Sequence, residues 1–558
     1  MTVSHYDVLV VGAGPAGCAV AARMSEDPSL KVALLEQGPD WRLADAPEAM
    51  SAHGWTAYAG IEALSPFHNG GLRARHQADG PLLPYFGGRG IGGSSIINAQ
   101  ITLRPPLDCF DEWSRLGASR WSADMAAELW RRVEDDRDYG DRPEHGDNGR
   151  LSIERPPIEE WSWIDRTFWA AALDAGYEEL EDINASVADG VGALPHGRRG
   201  GRRVTANHAY IETARSRANL HVHGDAQVDR VLLRPDATAA TGVRARIAGR
   251  WQEISADHVV LSAGTIGSAG ILLRTGIGPA SDLHAAGVPV RHELPVGRAL
   301  QDHYMLPISI EAELPDADRG RDLNLCSCAL RYSSHLEGAP PGDVLLLPQS
   351  PITILGHYFP PAVAVWMFET YSRGSLRLLT SDPDDCPEVN LGLFSDERDL
   401  IRMRDGVHRA SHLLDAAPFA IYGDRPRTIG ATGVPLPAVE DDDALDAVIR
   451  RYAGPHAHVS CSAPMGRVGD TLTVVDADAR VVGVDNLRVA DLSICPSVVR
   501  AGPYPTAMMI GEFVADRMRD ELSGDGPSQA RSTGTPIRFL DGAEPPHANG
   551  QPIARQLQ

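Results

Sequence analysis

Residues 7–36 carry three consecutive signals: Asp7-Val8-Leu9-Val10-Val11, then Gly12-Ala13-Gly14-Pro15-Ala16-Gly17, then Cys18 to Ser25 running on to Lys31-Val32-Ala33-Leu34-Leu35-Glu36. The first run is apolar and rich in β-branched residues, the pattern of a strand buried on both faces of a parallel sheet. Cys18–Ser25 sets small apolar residues at helical spacing, and Lys31–Leu35 reads as a second buried strand. Between strand and helix stands G-x-G-x-x-G. Gly12 makes the tight turn, Gly14 lets a diphosphate approach the backbone, and Gly17 lets helix and strand close up. Pro15 and Ala16 complete this binding turn, and the helix N-terminus offers partial positive charge to phosphates. Glu36 ends the second strand about twenty residues on, where a carboxylate accepts hydrogen bonds from ribose hydroxyls and disfavours a 2′-phosphate. The unit therefore predicts NAD or FAD, and by itself does not separate them.

At 558 residues and 60.0 kDa, the chain suits three or four domains or a large two-domain enzyme. Lys and Arg number 52 against 75 Asp and Glu, a net charge of −23 that argues against nucleic acid or an anionic membrane surface as partner. Seven cysteines (Cys18, Cys109, Cys326, Cys328, Cys386, Cys461, Cys495) form no C-x-x-C pair. The Cys326–Cys328 spacing is too tight for a usual zinc or redox motif, so reduced thiols and no metal are expected. The opening residues carry no signal-peptide pattern, and no uninterrupted apolar stretch of about 18 residues is present. A soluble, cytoplasmic protein is expected.

Further along, glycines cluster at 87–93. Residues 134–160 are acidic and loop-like, and are expected to mark a crossing between domains. Val259-Val260-Leu261 begins another buried strand that turns at Ser262-Ala263-Gly264. Runs such as Val344–Leu347 and Ser375–Leu378 predict antiparallel sheet between about 305 and 400. Arg398–Leu414 and Asp443–Tyr452 read as amphipathic helices, and the tail 523–558 is expected to be disordered.

Several segments in order resemble the glucose–methanol–choline (GMC) family of FAD oxidoreductases, over roughly residues 5–520. Gly87-Gly88-Arg89-Gly90-Ile91-Gly92-Gly93-Ser94-Ser95-Ile96-Ile97-Asn98-Ala99 resembles the family's first signature, and Gly264–Pro279 the second. Val296-Gly297-Arg298-Ala299-Leu300-Gln301-Asp302-His303 follows, with Ala299 where the family usually has Asn. Arg203, Ala209 and Tyr210 match a further segment, and Val228 falls where a valine backbone commonly holds adenine. The resemblance implies FAD, with Gly92, Gly93, Ser94, Asn98, Ala99 and Gly264 among the residues around it. Ile97 stands where some members carry a histidine bonded to the flavin, so the FAD is expected to be non-covalent. The implied fold is an α/β FAD-binding Rossmann-like domain with an α+β substrate domain carrying an antiparallel sheet. Residues 1–150, 200–305 and 455–522 are assigned to the first, and 151–199 and 306–454 to the second.

His458-Val459-Ser460-Cys461-Ser462-Ala463-Pro464-Met465-Gly466 resembles the family's H-x-x-G-T-C-R-M-G segment, which puts the active-site histidine at His458. Leu487–Pro496 matches the turn that holds the flavin, with Asp491 and Leu492 at the pyrophosphate, and Pro503 lies close behind. The implied reaction is oxidation of an alcohol by hydride transfer to flavin N5, with neutral His458 as general base. The family's second catalytic His or Asn aligns with Gly502, which has no side chain; Tyr504 and His456 are the candidates to replace it. Arg500-Ala501-Gly502-Pro503-Tyr504, together with His145-Gly146-Asp147-Asn148-Gly149, resembles the mycofactocin-associated branch. That branch implies a peptide-derived redox cofactor as substrate and electrons passed to a quinone or the respiratory chain. The alternatives are a small primary or aryl alcohol oxidase using O2, a non-redox lyase of the same fold, and a relict flavin protein. Trp366 and Phe368 are read as core side chains, or else as walls of the substrate pocket.

Overall fold

The computed structural model describes residues 5–51, 65–312, 318, 321, 323–354, 357–422 and 426–523. The expected tail lies outside the described residues beyond Ser523. Two large sheets organise the rest. The first has a parallel centre with strands in the order Leu220–His223, Val32–Leu35, His5–Val11 and Arg250–Leu261, and Leu487–Val489 pairs with the far end of the last. The near half of Arg250–Leu261 instead leads into an antiparallel meander, Ala240–Ile247 and Ala226–Leu233. Val8, Leu9, Val10 and Val11 are buried, each worth about 1.5–3 kcal/mol relative to exposure. The following helix, Pro15–Met24, starts earlier than the sequence reading, because proline fits the first helical turn. It packs on the C-terminal helix Tyr504–Leu522 so closely that a Cβ on Gly511 would stand 2.4 Å from the Ala16 carbonyl oxygen.

The second sheet has eight strands, in the order Arg427–Ile429, Tyr304–Ile310, Ala362–Met367, Val344–Gln349, Cys328–Tyr332, Gly190–Ala193 and Glu178–Leu180, with Gly454–Pro455 beside Tyr304–Ile310. It is antiparallel apart from its last pair. Side chains alternate along Ala362–Met367. Val363, Val365 and Met367 join the main core, on the side where Gly406 of the helix Glu397–Asp415 meets Val365. Ala364 and Trp366 turn to the other face with Leu345 and Leu347. That second face looks into the cavity described below.

The acidic stretch near 134 corrects its sequence reading. Glu134–Asp136 is a buried strand, parallel to Leu151–Ile153, and not loop. Its carboxylates are already matched: Arg104 bonds Glu134, Arg155 bonds Asp136 and Asp182, and His145 lies 3.1 Å from Asp136 and 2.8 Å from Asp182. Three acids set against two arginines and a histidine make a buried ion network, whose burial is tolerable because each charge has a partner.

Candidate active site

A cavity of about 1000 Å³ runs between the two sheets. At one end the turn after His5–Val11 shows why its glycines differ. Gly12 has φ 96° and sits against Ser262, and a Cβ on Gly17 would fall 1.9 Å from the Gly12 carbonyl oxygen; Gly14 has open space on the cavity side. Gly93, at φ 54°, approaches until its Cβ would lie 2.6 Å from the Gly14 Cα. The helix Pro15–Met24 has no side-chain cap, so its first N–H groups remain available to an anion.

Glu36 ties these loops together. Its carboxylate accepts from the backbone N–H groups of Ala13 (2.9 Å), Gly38 (2.8 Å) and Gly90 (3.0 Å), and burial raises its pKa. A carboxylate has about four lone-pair sites, which leaves room at Oε2 for one hydroxyl. Asp491 is saturated by the N–H of Gly264, the hydroxyl of Ser268, and both the N–H and hydroxyl of Ser493. Its task is to hold the loops that Gly264 and Leu492 bring to the cavity. Asn98 is fixed by Arg203, and Ser94 accepts from Gly88 N–H. Gly12, Gly14, Pro15, Ala16, Glu36, Gly93, Ser94, Asn98, Ala99, Val228, Gly264, Asp491, Leu492 and Pro503 all line the cavity; Gly17 and Gly92 shape it from behind.

At the other end stand three histidines. The N–H of His458 donates to Asp302 Oδ1 at 2.9 Å, and Asp302 Oδ2 accepts from the Tyr85 hydroxyl at 2.6 Å. That hydroxyl in turn accepts from Val459 N–H at 3.1 Å. Burial pushes Asp302 up to about 7. The Nδ1 of His458 lies 2.9 Å from Nδ1 of His303, whose Nε2 lies 2.9 Å from the Val499 carbonyl oxygen. A carbonyl only accepts, so His303 carries its proton on Nε2 and offers a lone pair at Nδ1. Burial lowers His303 to about 4 and holds His458 well below its ordinary value, so both rings are neutral. His458 must then donate from Nδ1, and its lone pair is on Nε2. That nitrogen makes no hydrogen bond to a described residue, and His458 lines the cavity.

His456 stacks on His458, ring centroids 5.1 Å apart and planes at 25°. Tyr504 also lines the cavity; its hydroxyl donates to the Val204 carbonyl at 3.1 Å, and its ring meets neither histidine among the described residues. His303, Asp302 and Tyr85 received no role from the sequence, although Asp302 and His303 stand in a quoted motif. Trp366 and Phe368 prove to be both things at once, nearly inaccessible to solvent and lining the cavity.

Family models for GMC oxidoreductases match residues 6–305 and 370–511 of this chain. The chain belongs to the GMC oxidoreductase family. It is 32% identical over 541 residues to 5-(hydroxymethyl)furfural oxidase of Methylovorus sp. (strain MP688), covering 92% of this chain and 99% of that one. It is 30% identical over 556 residues to oxygen-dependent choline dehydrogenase 1 of Chromohalobacter salexigens, covering 92% and 95%. Pyridoxine 4-oxidase from Mesorbium loti superposes with a TM-score of 0.80 at 27% identity, over 92% of this chain and 99% of that one. GMC flavoproteins bind FAD, and the residues present fit it: an uncapped helix N-terminus beside glycines with room for a diphosphate, a carboxylate with one open site for ribose, and a long cavity reaching His456 and His458. Among the described residues no helix is long and apolar enough to cross a membrane. All seven cysteines are free.

Proposed function

We propose that this GMC oxidoreductase oxidises a primary alcohol carried on a flat, uncharged ring, with non-covalently held FAD and with His458 as the base. FAD, when bound, supplies the chemistry of accepting a hydride. The observation that carries the reading is the chain Val499 carbonyl, His303, His458, which fixes a lone pair on His458 Nε2 at the cavity wall. That nitrogen takes the hydroxyl proton, and the His303 lone pair then faces the imidazolium that results. Tyr85 and Asp302 hold the backbone of His458 and Val459 in place.

The substrate class follows from the wall. From the second sheet and the loops beside it the cavity takes Met305, Pro307, Ser309, Leu325, Trp366 and Phe368, none of them charged. Such a wall suits an aromatic carbinol better than a cationic or acidic alcohol. The relatives acting on hydroxymethylfurfural and pyridoxine, by their names, support the same class. Ile97 lines the cavity with a side chain that cannot bond a flavin, which supports non-covalent attachment. The first sheet would then be the cofactor half and the second the substrate half, and the free thiols support a cytoplasmic setting.

The test is anaerobic titration of the flavin-loaded protein with benzylic and heteroaryl methanols, followed by air. Bleaching of the flavin supports the reading; no bleaching by any alcohol refutes it. Recovery in air identifies O2 as acceptor, whereas recovery only with a quinone or dye identifies a dehydrogenase, the form favoured from the sequence. The segment Arg500–Tyr504 favours reduced mycofactocin as the second substrate to titrate.

A further inference from the structure

Gly502 lines the cavity with its backbone outside the left-handed region, and a Cβ built there meets nothing nearer than the Ile101 carbonyl oxygen at 3.8 Å. A base alone leaves the alcohol oxygen without a donor as negative charge gathers on it, and a donor at that point is among the larger contributions to such reactions. His456 lines the same cavity. Its ring stacks on His458 and meets the Trp366 indole at a centroid distance of 3.8 Å and an angle of 61°.

Two buried atoms in this contact have no hydrogen-bond partner among the described residues, Nε2 of His456 and Nε1 of Trp366. An indole nitrogen only donates. A buried N–H left unpaired is costly, so a donor and an acceptor orphaned in one ring contact are most simply satisfied by each other after a small ring rotation. A lone pair on Nε2 of neutral His456 places its proton on Nδ1. That nitrogen makes no hydrogen bond to a described residue. Burial and the neighbouring His303 lower His456 to about 3, in keeping with a neutral ring.

We propose that His456 is a second catalytic residue, presenting Nδ1–H to the alcohol oxygen in place of the side chain absent at Gly502, and that Trp366 is the positioning residue that fixes this tautomer. The inference rests on the alcohol-oxidation reading above. In the step, the O–H bond breaks with its proton passing to His458 Nε2, the carbinol C–H leaves as hydride to FAD, and the C=O bond forms. The His456 proton stays where it is and only strengthens its hydrogen bond.

The test uses holoenzyme of His456→Ala, His456→Asn, Trp366→Phe, Trp366→Phe combined with His456→Asn, and His456→Ala combined with Gly502→Asn. It measures flavin content, the limiting rate of anaerobic flavin reduction by benzyl alcohol, and the affinity for 2-phenylpropan-2-ol, a tertiary alcohol that cannot be oxidised. His456→Ala is expected to slow reduction by about 10²–10³-fold and to weaken the tertiary alcohol, with flavin content unchanged. His456→Asn keeps a donor, and Gly502→Asn in the alanine background restores one, so both are expected to recover about tenfold or more. Trp366→Phe is expected to slow the histidine enzyme but not the His456→Asn enzyme, because an amide has no tautomer to fix. Reduction by fully flavinated His456→Ala within about threefold of wild type would overturn the proposal. So would an equal loss in the asparagine variant with no recovery from Gly502→Asn. If the alanine variant does not fold, the Trp366→Phe and His456→Asn cycle decides alone. A wild-type flavin that no alcohol reduces would instead refute the underlying reading, and this inference with it.

Discussion

Replacing His303 by Leu removes the acceptor that gives His458 its tautomer. His303 is fully buried against Phe368 and touches no bulk solvent. In the variant the Nδ1–H of His458 faces an apolar side chain where an acceptor stood at 2.9 Å. An unpaired buried N–H costs about 1–3 kcal/mol, and moving the proton to Nε2 avoids that cost but removes the base. Either way about 1–3 kcal/mol is added to the barrier, or about 5- to 150-fold in rate. The assay is stopped-flow flavin reduction under anaerobic conditions from pH 5 to 9, with flavin content and melting temperature recorded alongside. His303→Leu is expected to lower the limiting rate within that range and to move the acid limb of the profile. His303→Asn, whose amide oxygen can still accept from His458, is expected to retain most of the rate. A leucine variant that keeps its flavin and reduces within about twofold of wild type would refute the tautomer reasoning.

Three further outcomes are expected. His145 is raised to about 10 because Asp136, Asp182 and Glu134 bond the charged ring despite burial. A raised histidine contributes stability that is complete below about pH 6.5 and lost as pH climbs through about 10, so His145→Gln should lose about 3 kcal/mol at pH 7 and lack the wild type's decline near pH 10 in thermal unfolding. Gly93→Ala would force a Cβ to 2.6 Å from the Gly14 Cα at a left-handed backbone, and should yield folded protein with sharply reduced FAD content by absorbance. Tyr85→Phe strips Asp302 Oδ2 of its hydroxyl donor and Val459 N–H of its acceptor, and should lower unfolding stability by about 1–3 kcal/mol in denaturant titration.

The first sheet and its glycine turn were legible because their signals are local. A strand, three glycines with distinct tasks and a terminal acid lie within residues 7–36; Gly17 closes on Gly12 and Gly14 leaves the cavity side open, as their spacing implies. Helices and strands with strong periodicity, such as Glu397–Asp415 and Val344–Gln349, were visible for the same reason. The buried Glu134 and Asp136 were not, because their neutralising partners, Arg104, Arg155 and His145, come from separate parts of the chain, and only the fold brings them together. The same holds at the histidines. His458 and His456 could be placed by motif, but the dependence of His458 on His303, 155 residues away, is a product of the tertiary contact. Tyr504 is similar: the sequence places it beside the Gly502 gap, and the fold sets it in the cavity wall with its hydroxyl on the Val204 carbonyl, 300 residues distant.

The central claim is that the carbinol hydrogen leaves while His458 takes the hydroxyl proton. It is tested most directly by mixing the oxidised, flavin-loaded enzyme anaerobically with benzyl alcohol and with its α,α-dideuterated form. The account expects rapid bleaching that deuteration slows severalfold, and a His458→Ala enzyme that binds FAD yet bleaches orders of magnitude more slowly. Bleaching unaffected by deuterium and unchanged in the fully flavinated alanine variant would contradict it.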